Sequence, residues 1–363
     1  MERILTEQSI INTYKEKQQE QCRLYCEYKK IKKQNKLFGY KRIANILGYS
    51  YGKTRWWHCG KHTPTPIQTT KRLKKKKLLP LDLDNPKLFL IVKVFGATFG
   101  DGGIFGNLNG IFLSSSELEA VKEFGKNLKQ IFGDEIEKNS RIIEGGVYGH
   151  SWCYQNTNRE IIRFFIALGA PLGDKSQTKL GIPNWILSGD EKIKDEFFGS
   201  LFGAELNVPK IHIEKNRLDT LSFGITATQK FEENRKKFLT QIAKYLNEKG
   251  IKTGKICIND HKKQNRKGEP TKIYRLLIST KFENVSNFMA LTKINYCKYK
   301  KNKLVDTMNK FSEIKRQRFN DLLEFGYGEE RILKLLNLKP ASFYIISNYE
   351  DYGGLYKEEN AGF

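Results

Sequence analysis

Nowhere in the 363 residues do 18 consecutive apolar residues occur, so no segment has the length a membrane-spanning helix needs. The opening Met1-Glu2-Arg3-Ile4-Leu5-Thr6-Glu7 is too acidic, and its apolar run too short, for a secretory signal; a cytoplasmic location and no membrane partner are expected. Cysteine is sparse. Cys22, Cys26, Cys59, Cys153, Cys257 and Cys297 include no Cys-x-x-Cys pair, which argues against a disulfide framework and for reduced, mostly buried thiols. Cys22 and Cys26 can be drawn with His58 and His62 as zinc ligands, but no second cysteine pair closes the set, so packing is the simpler reading. Acid is the minority charge, with 40 Asp and Glu against 64 Lys and Arg, a net charge of +24. Such an excess is a statement about partners, and nucleic acid is the expected one, although ribosomal or membrane-surface binding would produce the same number. The length suits two or three domains with ample core.

What is present centres on Leu88 to Gly103, which reads as one apolar helix. Gly96 and Gly100 lie four apart on one face, and Asp101 follows them just before Gly102 and Gly103. A carboxylate at a helix C-terminus opposes the macrodipole by about 0.3–1 kcal/mol unless a cation sits there, so function is the better reason for Asp101. The arrangement recurs about a hundred residues later as Phe197-Phe198-Gly199-Ser200-Leu201-Phe202-Gly203-Ala204-Glu205. Small residues strip a helix face nearly to backbone and allow close packing. Either half alone reads as a buried glycine-containing helix; two copies, each ending in an acid, read as a pair. Side by side they bring Asp101 and Glu205 together, where they must share a proton or a divalent cation.

At these residues the chain resembles the LAGLIDADG homing endonucleases in their single-chain, two-repeat form. Residues 94–102 and 198–206 lie over the family's nine-residue motif and keep its final acid, with Phe99 and Gly203 where the family often has its first Asp and Leu206 in place of the closing Gly. The resemblance covers roughly residues 85 to 310. It implies an α+β fold in which two pseudo-symmetric αββαββα repeats form a saddle over duplex DNA, flanked by helical segments. The expected divisions are 1–63, helical and helix-turn-helix-like; 64–84, a basic linker; 85–186 and 187–310, the two repeats; and 311–363, a helical C-terminal segment and tail.

Residues 9–34 read as one long charged helix. Tyr40 to Leu47, Gly48, and a second helix opened by Ser50 resemble a helix-turn-helix, with Ala44 permitting close approach. Tyr51, Lys53, Thr54, Arg55 and His58 would then face the major groove, and Trp56 or Trp57 would be core; the bland alternative is a packing hairpin. The run Lys71 to Lys77 between Pro64, Pro66 and Pro80 reads as a flexible linker able to follow phosphates. Hairpins are expected over 104–113, over 135–143 with 146–155, over 210–218 with 220–229, and over 252–258 with 272–279, the last joined by a basic loop from Asp260 to Pro270. Helices are expected from the Ser116 cap to Phe132, over 231–246, over 282–294 and from Val305 to Phe325, with a degraded helix-turn-helix over 329–347 and a frayed acidic tail.

The resemblance further implies a lysine beside each acid, Lys179 and Lys301 first with Lys175 and Lys300 close behind, and a water-positioning Gln229 whose weaker counterpart is Ser115 or Ser116. It implies DNA contacts from Asn107, Asn109, Lys210, His212, Lys215, Arg217 and Lys230. Phosphodiester hydrolysis needs an attacking hydroxide, a stabilised leaving oxygen and neutralised phosphate charge, which divalent ions between paired carboxylates supply. Asp101 and Glu205, with the carbonyls of Gly100 and Ala204, are the expected ligands of Mg²⁺ or Mn²⁺. The expectation is a monomeric, nucleoid-associated, site-specific endonuclease acting on a long double-stranded DNA site. A non-cleaving transcription regulator on the same fold and an intron RNA maturase are the alternatives.

Overall fold

The order of elements follows from where apolar periodicity changes from 3.6 to 2 along the chain. The computed structural model describes residues 3–340 other than 147, 148 and 266. A strand β1 (Arg3–Leu5) is followed by helices α1 (Glu7–Ile11), α2 (Glu16–Gln34), α3 (Tyr40–Leu47), α4 (Tyr51–His58) and α5 (Thr65–Lys75), then by β2 (Leu81–Asp82), which pairs with β1. The single helix expected over 9–34 is in fact two, α1 and α2. The Thr13 hydroxyl turns back on the Ile10 carbonyl, and Tyr14 is buried with its hydroxyl 2.8 Å from that of Thr69. The basic run read as a flexible linker is largely helix α5. Pro66 is tolerated in its first turn, where no intrahelical donor is lost, and Thr69, Thr70 and Leu73 are buried, so its cations project from one side of a rigid rod.

The first central unit comprises α6 (Leu88–Ala97), β3 (Gly102–Ile104), β4 (Ile111–Ser115), α7 (Leu118–Phe132), β5 (Ser140–Gly146), β6 (Gly149–Asn156) and α8 (Arg159–Leu168). After a short α9 (Asn184–Leu187) the second comprises α10 (Glu191–Glu205), β7 (Leu206–Asn207), a small ribbon of β8 (Ile211–His212) and β9 (Arg217–Leu218), β10 (Leu221–Thr228), α11 (Glu232–Glu248), β11 (Thr253–Gln264), β12 (Pro270–Ile278) and α12 (Phe282–Leu291). Helices α13 (Lys298–Glu324) and α14 (Glu329–Leu335) follow. Each unit forms one four-stranded antiparallel sheet, ordered β3-β4-β6-β5 in the first and β7-β10-β12-β11 in the second, so the connectivity is the same in both.

Several boundaries differ from those read in the sequence. Residues 134–139 form a 3₁₀ turn ahead of β5 instead of the start of a strand, and Glu117, not Ser116, is the N-cap of α7. Among the described residues β8 and β9 pair with each other, while β10 joins β7 and β12. Strand β11 runs on to Gln264, leaving less loop than expected, α12 stops at Leu291, and α13 begins at Lys298, seven residues before Val305. The degraded helix-turn-helix falls partly on residues 341–347, outside the described residues; its described part includes α14, and the carbonyl of Leu336, which caps that helix, takes a 2.6 Å hydrogen bond from the buried Lys315 ammonium. Among the described residues no helix is long and apolar enough to cross a membrane.

The two central helices lie against each other, and glycine decides how closely. A Cβ at Gly96 would come within 2.5 Å of the Phe197 carbonyl oxygen, and one at Gly100 within 2.2 Å of the Ala204 Cβ. Phe95, Phe99 and Phe197 fill the seam, with ring centroids 5.2–5.8 Å apart. The small residues of α10 do not all serve that seam. Ser200 and Ala204 face α6, whereas Gly199 and Gly203 admit the segment 293–295, where a Gly203 Cβ would fall 1.7 Å from the Asn295 carbonyl oxygen and the Asn295 amide donates to the Gly199 carbonyl at 2.9 Å. Gly203→Ala is therefore expected to displace this crossing segment and destabilise the fold by about 1–3 kcal/mol, read as a lower urea midpoint; an unchanged midpoint would count against the contact.

Candidate active site at the paired helix ends

Helix α6 closes in a tightened turn, with Phe99 and Gly100 donating to Gly96 and Ala97 three residues back, so the chain turns sharply into β3 and leaves Asp101 at the corner. Helix α10 runs as helix to Glu205 and passes directly into β7. Since Gly100 meets Ala204, the two acids that follow them stand at the same end of the seam. Their electrostatics agree. Burial pushes Glu205 up to about 7, the neighbouring Asp101 charge adds to that rise, and Lys175 and Lys300 act against it. Burial likewise raises Asp101, opposed by Lys300 and Lys175. The Asp101 side chain is nonetheless open to solvent, the combination expected of a group on the floor of a concave surface, hemmed by protein yet reached by water.

Two ammonium groups converge on the helix ends. Lys175 Nζ donates to the carbonyls of Gly100, of Gly102 at 2.6 Å and of Thr98 at 3.4 Å, and Lys300 Nζ donates to the carbonyl of Ala204. Burial pulls the Lys175 ammonium down, while Glu205, Asp101 and Asp174 hold it up. Each unit, with the segment that follows it, thus presents one acid, one lysine and the last carbonyls of one helix. Beside them a small cleft of about 80 Å³ is lined in part by Asp101, Ser114, Ser115, Ser116, Cys297 and Lys300. Larger hollows lie elsewhere, one of about 760 Å³ between α5 and the start of α8, but a groove that receives a polymer is open and is not measured by enclosed volume.

The lysines that reach the helix ends beside the acids are Lys175 and Lys300, the second choices of sequence reasoning. Lys179 is exposed beyond the 3₁₀ turn at Lys175–Gln177, and Lys301, one residue along α13, is 100° around the helix from Lys300. Gln229 is exposed just past the end of β10, next to the level of Thr271, whereas the same strand meets the residue after Glu205 at Phe223, so the register does not bring Gln229 to the acids. Ser115 and Ser116 do line the cleft. Asn107 and Asn109 are exposed in the β3–β4 turn, with Asn107 Oδ1 accepting from the Asn109 amide at 3.1 Å. Lys210, Lys215, Arg217 and Lys230 are exposed, and His212 is partly covered.

In the N-terminal helices Gly48 takes the left-handed conformation, φ 58°, between α3 and α4. Tyr25, Tyr28, Ile43 and Trp57 form a core separate from the main one. Trp57 is the buried tryptophan and Trp56 the exposed one; Tyr51, Lys53 and Arg55 are exposed with it. Two of the expected groove residues face inward instead. Thr54 is fully buried and returns its hydroxyl to the Ser50 carbonyl at 2.9 Å, and His58 packs its ring on Tyr28 and Tyr40, with Nδ1 3.3 Å from the Tyr28 hydroxyl. An eight-residue helix with aromatic residues on two sides leaves its phase ambiguous in sequence; only the partner surface settles it.

Sequence reasoning missed Glu117, Asn234 and Arg235. The Glu117 carboxylate accepts from the Cys297 thiol at 3.1 Å and the Tyr299 amide at 3.2 Å. Arg235, fully buried, donates to the Thr178 carbonyl at 2.9 Å and to that of Lys175, and Asn234 exchanges two hydrogen bonds with the Leu180 backbone. A fully buried arginine near the start of a helix carries no local pattern that would mark it in advance.

No family model matches this chain. Among characterised proteins it is similar to the DNA-directed RNA polymerase subunit Rpo1N of Methanocaldococcus jannaschii, 27% identical over 308 residues that make up 77% of this chain and 23% of that protein. It is also similar to the tRNA-splicing ligase RtcB of Pyrococcus furiosus, 30% identical over 242 residues, 63% of this chain and 23% of that one. The chain therefore spans about a quarter of the length of these relatives. Among solved structures, I-DmoI in complex with DNA and Ca aligns with a TM-score of 0.35 and 15% identity, covering 56% of this chain and 91% of that one. The homing endonuclease I-WcaI bound to its DNA recognition sequence aligns with a TM-score of 0.36 and 14% identity, covering 62% and 97%.

Proposed function

We propose that this chain is a site-specific endonuclease of the homing type, cutting both strands of duplex DNA in a reaction that requires a divalent cation. The observation that carries the reading is the convergence of two acids and two lysines on the adjoining ends of α6 and α10, one acid and one lysine from each unit. A duplex presents two scissile phosphates in opposite orientation, and a duplicated centre matches that demand. The donors on offer are carboxylate and main-chain oxygens, which suit a hard cation such as Mg²⁺ or Mn²⁺. That the Lys175 ammonium bonds the Gly100 carbonyl and the Lys300 ammonium the Ala204 carbonyl marks these ends as cation-seeking. Asp101, Glu205 and the Gly100 and Ala204 carbonyls would hold the ions, which when bound supply Lewis acidity and a water of lowered pKa. The chain's own part is to fix the acids at the groove floor and to keep Lys175 and Lys300 beside them as fixed positive charge for phosphate.

The relatives add support of a different kind. An RNA polymerase subunit and a tRNA-splicing ligase are named for different activities, yet each contains a segment similar to this chain that occupies about a quarter of its length. A module that recurs in unrelated hosts is what a nuclease able to move its own coding sequence would leave behind. Neither host's activity is assigned to this chain. The N-terminal helices are read as a second DNA contact, with Tyr51, Lys53, Arg55 and the exposed Trp56 on α4 at the groove.

The test is cleavage of a randomised plasmid library by the purified chain with Mg²⁺ or Mn²⁺. A defined cut site is expected, and no cutting with any divalent ion would favour a non-cleaving regulator. Because most contacts should be to phosphate, affinity for the recovered site is expected to fall about 10³–10⁵-fold between 50 and 200 mM salt, as for a protein neutralising six to ten phosphates. A nearly flat salt dependence, measured by fluorescence anisotropy with Ca²⁺, would sink the saddle as a phosphate-contacting surface.

A further inference from the structure

Each of the two lysines serves the helix end of its own unit, but the backbone that carries it is gripped by the other unit. Lys175 lies in the segment after the first unit and reaches Gly100 and Gly102 of that unit, while its own carbonyl and that of Thr178 accept from Arg235, in the first turn of α11 in the second unit. Lys300 lies after the second unit and reaches Ala204 of that unit, while the Tyr299 amide and Cys297 thiol at the start of α13 donate to Glu117, the N-cap of α7 in the first unit. Helices α7 and α11 are equivalent in the order of elements, so the two grips correspond.

We infer that Glu117 and Arg235 are positioning residues, each setting from across the seam the lysine that bonds the other unit's helix-end carbonyls. The chemistry suits the task. A carboxylate accepting an N–H in the first turn of a helix fixes where that turn begins, and Lys300 is in that turn. A guanidinium with two carbonyl acceptors fixes the path of a segment that has little regular structure of its own. The consequence is coupling, since neither half can place its lysine without the other.

The strand-selective part of the test rests on the endonuclease reading; a second part does not. On a supercoiled plasmid bearing the recovered site, Glu117→Ala is expected to slow one strand's cut about tenfold or more, so that nicked circles accumulate, and Arg235→Met is expected to accumulate nicks in the opposite strand. Glu117→Gln, which keeps an oxygen for the Tyr299 amide, should restore most of the lost rate. Equal slowing of both strands, or nicks in the same strand from both variants, would overturn the inference. Independently of cleavage, hydrogen exchange of the peptide spanning 297–301 should rise about tenfold in Glu117→Ala while that spanning 175–180 does not change. If the wild type cuts no DNA, the endonuclease reading fails and the exchange result still decides the grip: unchanged exchange at 297–301 overturns it. Arg235 is fully buried and its replacement can prevent folding, in which case Glu117, which is partly exposed, carries the test alone.

Discussion

Asp101→Asn should reduce DNA cleavage more than about 100-fold while leaving affinity for the site, measured with Ca²⁺, within a few-fold of the wild type. Loss of partners one step removed from a metal typically reduces activity 10–100-fold, and Asp101 is proposed as a ligand itself. The amide keeps the shape of the corner between α6 and β3, so folding is not the reason for the loss. Binding should survive because affinity rests on phosphate contacts spread over the basic surface, and removing one negative charge from the groove floor favours it slightly. Glu205→Gln should behave in the same way. Retained double-strand cutting by either variant would remove the acids from the mechanism, and loss of binding along with cleavage would turn them into structural groups.

The second large effect concerns stability and pH without divalent ions. Burial and the adjacent Asp101 push Glu205 from its ordinary 4.5 up to about 7, so the folded state holds a proton that the unfolded state has released across that interval. Stability from this group is fully present below about pH 4.5 and is lost as pH rises through about 7; a rise of this size corresponds to about 3 kcal/mol. In EDTA the wild type should therefore lose stability between pH 4.5 and 7.5, relative to a Glu205→Gln variant that lacks this group. At pH 8 the variant should unfold at higher urea than the wild type, and Mg²⁺ should narrow the gap by binding only the wild type's folded state. Parallel pH curves for the two proteins, measured by urea unfolding, would show that Glu205 is not held against its charge. On the expected result the acids combine low stability with high activity, as for charges placed for a bound cation.

The acids were legible in the sequence because they break a local rule twice. A carboxylate at the C-terminus of an apolar helix is unfavourable, and two at matching offsets make accident a poor explanation. The lysines were not legible to the residue. Lys175 and Lys179, or Lys300 and Lys301, differ in sequence by a few positions and by nothing in type; what separates them is the path of a segment folded over a helix end, set by contacts with residues far along the chain. The same holds for Gly199 and Gly203. Their smallness was evident, but it serves the crossing segment at Asn295 and not the helix seam, because residues one position apart point about 100° apart around a helix.

Sequence by itself determined the basic character of the chain, the alternation of helices and strands, and the pairing of Asp101 with Glu205, since each rests on composition, period or repetition along the chain. Tertiary structure decided which lysines join those acids, which face of α4 meets solvent, and that Glu117 and Arg235 hold segments of the opposite unit. Those choices depend on contacts between residues tens to hundreds of positions apart, which leave no trace in any local window of sequence.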